Sequence, residues 1–484
     1  MNSRLQSLVY RLGKDQSGQM LAVMAVMMVA FLSTAALSID LGRAYFDYRK
    51  LQASTNAAVL AGAETLPNNT ATTVATNYSS VNGDLNAATT LPNVSMVAGY
   101  PKVLCLTTLT NMGVACSAPA NGNAIQVKQQ MVVPLFFARL FGKNSLTLTA
   151  TATAGMRGAT TSPYNVVIIV DTTASMADTD SDSQCSSSRL TCALSGVQVL
   201  LQNLSPCGAS LTTCGSVASG NVSNPVDVVS LFTFPNVTAA TASAEYDCSG
   251  ATNPVTEPYT FPTAGASTYT NTGTPVATYQ IVPFSSDYRS SDTTTTLTST
   301  SDIVMAIGGK SGCTPMGDPG GEGTYYAGAI YAAQSALVHA QTANPGSQNV
   351  LILVSDGDAS ATQAQMDSTA TNSGTYPSYK DECGQAITAA KAAATAGTKV
   401  YAVAYGAEST GCSTDTTGTY SGYTPCQTMQ AIASATQYFF SDYTQSGSSS
   451  NCISASQPTS NLNQIFTDIA NDLTVAKLIP NNTT

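Results

Sequence analysis

Val166-Val167-Ile168-Ile169-Val170, running without a break into Asp171-Thr172-Thr173-Ala174-Ser175, is the stretch that decides the fold. A continuous β-branched run has no polar face, so it reads as a strand buried on both sides, as in a parallel sheet covered by helices. Ligands of such sheets gather just past the carboxyl ends of the strands. The Asp171 carboxylate and two hydroxyls, those of Thr173 and Ser175, are therefore delivered to the binding edge. The segments that follow alternate in the same sense: a helical stripe Leu190, Leu194, Val197, Leu201, Leu204; strands at Val226 to Phe234 and Tyr279 to Phe284; a helix with Tyr326, Ile330, Ala333 and Leu337; a strand at Val350 to Val354; a helix from Gln385 to Ala396; a strand from Lys399 to Tyr405; and a closing helix with Leu462, Ile465, Phe466, Ile469 and Leu473. Strands alternating with helices predict an α/β fold with a doubly wound, mostly parallel sheet.

The D-x-T-x-S spacing suits a hard divalent cation, which takes oxygen ligands and keeps water in the remaining positions. Two other loops can add oxygens. The strand ending at Ser355 runs into Asp356-Gly357-Asp358, and Gly323-Thr324 opens the Tyr326 helix. Taken singly, these are ordinary caps and turns, because Asp and Gly end strands everywhere. Together and in this order they form a constellation.

Residues 162–476 resemble a von Willebrand factor type A domain with a metal-ion-dependent adhesion site, whose pattern is D-x-S-x-S after the first strand, a threonine opening a helix, and an aspartate before glycine after a later strand. The resemblance implies that Asp171, Thr173, Ser175, Thr324 and Asp356 hold Mg²⁺ or Mn²⁺. Thr173 stands where the family usually has serine, and its hydroxyl can still ligate. Thr314, in Gly312-Cys313-Thr314-Pro315, is a rival to Thr324. The preference goes to Thr324, because Ala329, Ile330 and Ala333 follow it at helical spacing while Pro315 and Pro319 follow Thr314 too closely for a helix.

Composition narrows the function. Of 484 residues, 43% are hydrophobic and 10% charged, with a net charge of −10 and one histidine, His339. Nucleic-acid binding is unsupported, because no basic stripe exists to neutralise phosphates. Triads, dyads and zinc sites built on histidine find only one candidate, and His339 reads as a surface or partly buried helix residue. Asp178-x-Asp180-x-Asp182 starts like a calcium loop, but Ser183 and Arg189 stand where glycine and glutamate are needed, so it reads as a solvated acidic loop.

Met20 to Ile39 is a run of twenty residues without a charge, long enough to cross a bilayer as a helix. Arg4, Arg11 and Lys14 precede it, with Asp15, while Arg43, Arg49 and Lys50 follow, so the charge rule orients it poorly. Cysteine usage is more decisive. All twelve Cys lie beyond residue 100, an even number in a Ser/Thr/Asn-rich chain, which reads as bridges in an exported segment. Ser33-Thr34-Ala35 also fits a signal-peptide cleavage site. Helical patterning nevertheless continues past it through Leu41, Ala44, Tyr45, Tyr48, Leu51, Thr55 and Ala58, which favours a retained anchor prolonged as a stalk.

Gly18, the apolar run, Asp40-Leu41-Gly42-Arg43, Leu51-Gln52 and Ala57-Ala58-Val59-Leu60-Ala61-Gly62-Ala63 resemble the amino-terminal module of TadG-like proteins of the Flp (Tad) pilus assembly system. That family joins a pilin-like membrane helix to a von Willebrand A domain. Pilin-like signals usually carry a glutamate five residues after the glycine, where this chain has Val23.

The organisation expected is a cytoplasmic terminus at 1–17, a transmembrane helix at 18–39, a helical stalk at 40–66, a small β-rich module at 67–158, the A-type domain at 162–476 and a tail at 477–484. In the module, Lys102 to Leu106, Ala124 to Val133 and Ser145 to Ala154 read as strands, and Pro134 to Gly142 as a buried helical turn. The long inserts Thr238 to Ala277 and Ala407 to Pro425 read as surface loops held by bridges. Sequence proximity suggests Cys105 with Cys116, Cys185 with Cys192, Cys207 with Cys214 and Cys412 with Cys426, though connectivity cannot be deduced from spacing. The resemblance implies a single-pass protein of the bacterial inner membrane, its bulk in the periplasm or at the cell surface. There it would bind a pilus or secretion-machine protein, or a surface ligand, through a partner Asp or Glu on the metal. Two alternatives stand beside it: a mechanical envelope protein with a metal-free A domain, and a metal-dependent hydrolase using Asp358 or Glu322 as base.

Overall fold

The computed structural model describes residues 16–66, 70–86, 91, 93–107, 110, 116, 122–156, 163–180, 185–209, 211–237, 259–260, 270–271, 278–317, 323–366, 370–444, 451–457, 459–474, 476 and 478–479. The charges before the apolar run, Arg4, Arg11, Lys14 and Asp15, lie outside them, as do most of the 238–277 insert and Asp182. The chain forms two compact units, one made of 1–107, 116–157 and 476–484, the other of 108–115 and 158–475.

The first unit is organised by one long helix, α1 (Gln16–Ala63), continuous from the apolar run into the stalk. From Val23 to Ile39 its side chains are exposed apart from a half-buried Ala36, and the helix is long and apolar enough to cross a membrane. The half beyond Asp40 buries a stripe of Ala44, Leu51, Thr55, Ala58, Val59 and Ala63. Leu41 and Tyr45, expected on that stripe, are instead exposed, since residues 40 and 44 carry the buried line at this level. After α2 (Ala71–Asn77), a helix inside the module expected to be β-rich, come β1 (Val94–Met96), β2 (Lys102–Leu104), β3 (Ala124–Pro134) and β4 (Ser145–Gly155). β3 and β4 pair antiparallel over their full length, from Ala124 opposite Gly155 to Pro134 opposite Ser145. Val94, Met131, Val133 and Ala150 pack with Leu51 and Leu91 into a small core. Leu478–Ile479, read from sequence as part of a tail, pairs antiparallel with β4 and closes this sheet.

The β3–β4 turn departs from expectation. Its residues form a 3₁₀ turn at Ala138–Phe141, but that turn is not buried: Phe136, Phe137, Leu140 and Phe141 are exposed, Leu140 by 83%. An apolar run of this length looks like core in sequence. Only its position at the end of a two-residue-period hairpin, where no described element of the unit covers it, tells otherwise.

The second unit starts with β5 (Tyr164–Asp171), every residue of which is buried. It continues with α3 (Arg189–Asn203), a two-stranded ribbon of β6 (Val217–Ala218) and β7 (Asn221–Val222), then β8 (Val228–Val237), a second ribbon of β9 (Tyr259–Thr260) and β10 (Thr270–Asn271), and β11 (Thr278–Ser285). α4 (Asp302–Ala306), α5 (Ala327–Ala343), β12 (Gln348–Ser355), α6 (Glu382–Thr395), β13 (Lys399–Tyr405), α7 (Pro425–Ile432), β14 (Phe439–Asp442) and α8 (Leu462–Thr474) complete it. The main sheet has the order β11-β8-β5-β12-β13-β14. All its pairings are parallel except β11 with β8.

Alternate residues of the central strands enter two cores. Val166, Ile168 and Val170 join Val350, Ile352 and Val354 under α3, α4 and α8, whereas Val167 and Ile169 join Leu351 and Leu353 under α5, α6 and α7. Helices on both faces explain why the strands are apolar without alternation. Burying each such side chain contributes roughly 1.5–3 kcal/mol, so the sheet interior is the main source of this unit's stability. Where α8 crosses α3, the backbone must come close. A Cβ on Gly196 would lie 2.3 Å from the Phe466 ring, and glycine alone leaves room.

Bridges link Cys105–Cys116, Cys185–Cys192 and Cys207–Cys214. Cys412 pairs with Cys383 and Cys426 with Cys452, in place of the Cys412–Cys426 link that proximity suggested. The first ties the start of α6 to the loop after β13, and the second ties the start of α7 to the segment past β14. Asp180 is buried and takes a hydrogen bond from the Tyr405 hydroxyl, so that residue is a structural acceptor and not part of a solvated loop.

Candidate functional site

In the second unit β5 lies between β8 and β12, and the chain moves to one side of β5 and then to the other. The crevice at the carboxyl ends of β5 and β12 is the switch point where sheets of this kind bind ligands. Register puts Val170 opposite Val354, so Asp171 and Ser355 leave the sheet side by side.

Asp171 is fully buried. Its Oδ1 accepts from the Thr173 backbone N–H at 2.9 Å and from the Thr173 hydroxyl at 2.6 Å, and its Oδ2 accepts from the Ser355 hydroxyl at 2.9 Å. Thr173 Oγ1 lies 3.4 Å from Ser175 Oγ and 3.2 Å from Thr324 Oγ1. The Ser175 side chain bonds Asp356, whose Oδ1 also accepts from the Asp358 N–H at 3.2 Å. Asp171, Thr173, Ser175, Thr324 and Asp356 thus form one connected set of oxygens from three loops. Thr314 is exposed in the loop after α4.

Burial raises the carboxyl pKa of Asp171, and the charge of Asp356 raises it further, against the hydrogen bonds from Thr173 and Ser355. Burial likewise raises that of Asp356, opposed by hydrogen bonds from the Asp358 N–H and Ser175 and by the Arg189 guanidinium. A fully buried Asp171 that feels the charge of the half-buried Asp356 is an electrostatic deficit of the kind a divalent cation would remove. The donors are all hard oxygens, two charged and three hydroxyl, which fits Mg²⁺ or Mn²⁺ with water completing the shell and does not fit a thiol-seeking metal.

Three further groups hold these oxygens in place. Ser355 orients Asp171, and the Tyr326 hydroxyl donates to the Gly357 carbonyl at 3.1 Å. Gly357 has φ +83°, and a Cβ there would sit 2.7 Å from the Pro425 carbonyl oxygen, so the Asp356 loop turns only with glycine. The one legible signal was Gly357 itself, directly after an aspartate at a strand end. Asp358, offered as a base, spends Oδ1 on the Cys412 N–H at 2.6 Å, while Glu322 lies outside the described residues. His339 is exposed on α5, fifteen residues beyond Thr324 and so about 20 Å along the helix. Asp180, Cys185 and Cys192 also converge, but the two sulfurs are bonded to each other and offer no thiolate.

Residues 34–154 match the family model described as putative Tad-like Flp pilus-assembly, a span running from the apolar part of α1 to β4. No curated protein matches the chain. Among solved structures it is similar to the pilus adhesin SpaC from Lactobacillus rhamnosus GG in an open conformation, at 14% identity and a TM-score of 0.36, over 74% of this chain and 34% of that one. It is also similar to the human COPII-coat protein Sec24c, at 11% identity and a TM-score of 0.26, over 65% of this chain and 32% of that one. The chain spans about a third of the length of these structures.

Proposed function

We propose that this chain is a membrane-anchored envelope protein of a Flp/Tad-type pilus assembly or adhesion system, and that its second unit is a von Willebrand factor type A domain binding a partner protein through a divalent metal. The match of residues 34–154 to a Tad-like pilus-assembly model supports the first half. The observation that carries the second is the connected set of Asp171, Thr173, Ser175, Thr324 and Asp356 at the switch point of a largely parallel sheet.

These residues would hold Mg²⁺ or Mn²⁺. Two carboxylates and three hydroxyls leave the ion electrophilic, and bound there it would accept a carboxylate from a partner Asp or Glu. The residues themselves do three things: Asp171 supplies a charge fixed from both sides by Thr173 and Ser355, Thr324 joins α5 to the β5 loop, and Asp356 is held by its own turn. The hydroxyls and carboxylates are committed to one another around a place for an ion, so the role is binding, in a pilus or secretion machine or on a surface ligand.

The test is calorimetric titration of the full-length, disulfide-bonded protein in detergent with Mg²⁺ and Mn²⁺, beside Asp171→Ala and Thr324→Ala. Saturable binding in the wild type, lost in both folded variants, is expected. A folded wild type that takes up neither ion overturns the metal reading.

A further inference from the structure

Asp40 is the first charged residue after the apolar run, and it is only 4% exposed. Its carboxylate is spent on the β3–β4 turn. Oδ1 accepts from the Phe136 N–H at 2.9 Å, and Oδ2 accepts from the Phe137 and Ala138 N–H groups at 3.0 and 2.8 Å. Three charge-assisted hydrogen bonds fix the turn rigidly to one level of α1. That level is set by sequence: twenty uncharged residues span about 30 Å as a helix, the thickness of a bilayer's hydrocarbon core, and the run ends at Ile39.

The turn carries what a headgroup layer accepts. Phe136, Phe137, Leu140 and Phe141 are exposed, with Leu41, Tyr45 and Phe46 exposed on the emerging helix. Pro134 to Ser145 contains two cations, Arg139 and Lys143, both exposed, and no acid. The Arg43 guanidinium stands 4.4 Å above the Phe136 ring. Aromatic residues and cations at the end of a spanning helix are the composition of membrane–water interfaces, and cations there attract anionic lipid. In water the same four side chains would form an apolar patch with nothing to offset its hydration.

We propose that the β3–β4 turn is a second membrane contact, in which Phe136, Phe137, Leu140 and Phe141 enter the interface of an anionic bilayer beside the exit of α1. The occupant is lipid because the patch is continuous with the exposed spanning helix and is cationic at its rim. Docking at two points would stop the first unit from tilting freely about a single helix. The inference rests on α1 spanning the bilayer, and its test separates the two.

The chain contains no tryptophan, so one introduced indole reports alone. Full-length Val29→Trp, Phe141→Trp and Val217→Trp proteins are reconstituted in phosphatidylethanolamine/phosphatidylglycerol vesicles, with and without acyl chains brominated near the headgroup or near the bilayer centre. Val29 and Val217 are exposed in the apolar half of α1 and in a ribbon of the second unit. Three results are expected: quenching of the Val29→Trp protein by centrally brominated lipid, a blue shift and quenching of the Phe141→Trp protein by headgroup-proximal bromine, and neither effect in the Val217→Trp protein. A quenched Val29→Trp protein beside a Phe141→Trp protein as water-exposed as the Val217→Trp one overturns the docking proposal alone. Blue-shifted Phe141→Trp emission that bromine does not quench also overturns it, showing protein in place of lipid over the turn. An unquenched Val29→Trp protein overturns the spanning helix and the proposal with it.

Discussion

The hydroxyl oxygens of Thr173 and Thr324 lie 3.2 Å apart although 151 positions separate them in the chain. Thr173 sits just past β5 and Thr324 just before α5, so the contact joins the strand end to the helix start across the mouth of the candidate metal site. Thr173 also donates to Asp171, which makes it the hinge of the oxygen set.

Thr173→Val keeps the shape of the side chain and removes its oxygen. It strips a hydrogen bond from a buried carboxylate, a loss of about 1–3 kcal/mol, and deletes one of the proposed ligands. Mg²⁺ affinity is expected to fall at least about tenfold, the equivalent of roughly 1.4 kcal/mol, while Thr173→Ser binds as the wild type does. Calorimetry on both variants decides it, and unchanged affinity in Thr173→Val would remove Thr173 from the ligand set.

Asp171 and Asp356 hold protons more tightly in the folded protein than an open carboxylate does. In the metal-free protein their contribution to stability is therefore fully present below the ordinary carboxylate range and is lost as pH rises through the raised values. The proposed metal would reverse the slope, because it would bind the deprotonated pair and compete with protons. The rise in melting temperature caused by saturating Mg²⁺ should thus be larger at pH 7.5 than at pH 5. Asp171→Asn should melt higher than metal-free wild type at pH 7.5 and gain nothing from Mg²⁺. A stabilisation by Mg²⁺ that is independent of pH would count against the pair as its site.

Glu382, at the start of α6, is fully buried, accepts from the Ala361 N–H at 2.8 Å, and leaves Oε1 without a partner. Burial, opposed by that hydrogen bond and reinforced by Asp415 and Asp358, pushes its pKa up to about 8. The folded state keeps a proton that the unfolded state gives up, so Glu382 weakens the fold as pH climbs from about 4.5 to 8. Glu382→Gln should match wild type in melting temperature near pH 4.5 and exceed it by a widening margin toward pH 8. Parallel melting curves across that range would show that the carboxyl is ionised throughout.

The main sheet was legible because burial on two faces leaves a one-dimensional trace. Lys399 to Tyr405 reads as a strand and is one, and the stripe from Leu462 to Leu473 reads as a helix and is one. Short elements left no such trace: α7, opened by a Thr424 capping box, and the four-residue β14 owe their form to packing beside longer neighbours. Cysteine pairing was illegible for Cys412, because parallel crossovers bring the start of α6 beside the loop after β13, and chain distance says nothing of it. The oxygen set could be assembled from Asp171, Thr324 and Asp356 because each sits at a strand or helix end. Ser355 could not, since nothing in the sequence distinguishes the last residue of a buried strand from a polar substitute within it.

Gly196 tests the close crossing of α3 and α8. An alanine inside a helix ordinarily adds about 0.5–1 kcal/mol over glycine. Here its methyl would fall 2.3 Å from Cδ2 and 2.6 Å from Cε2 of Phe466, a ring that is itself fully buried beside Ile465 and Ile469. The ring cannot yield as a flexible chain would, so the helices must separate, and overpacking of this kind costs roughly 1–3 kcal/mol. The penalty exceeds the propensity gain, and Gly196→Ala should lower the denaturation midpoint. Phe466→Leu alone is destabilising through the space it leaves, yet in the double variant the new methyl occupies part of that space. The pair should therefore lose less stability than the sum of the two singles, by more than the roughly 0.5 kcal/mol within which independent sites add. Strict additivity would mean that the ring moves aside without help and that glycine is not what sets the distance between the two helices.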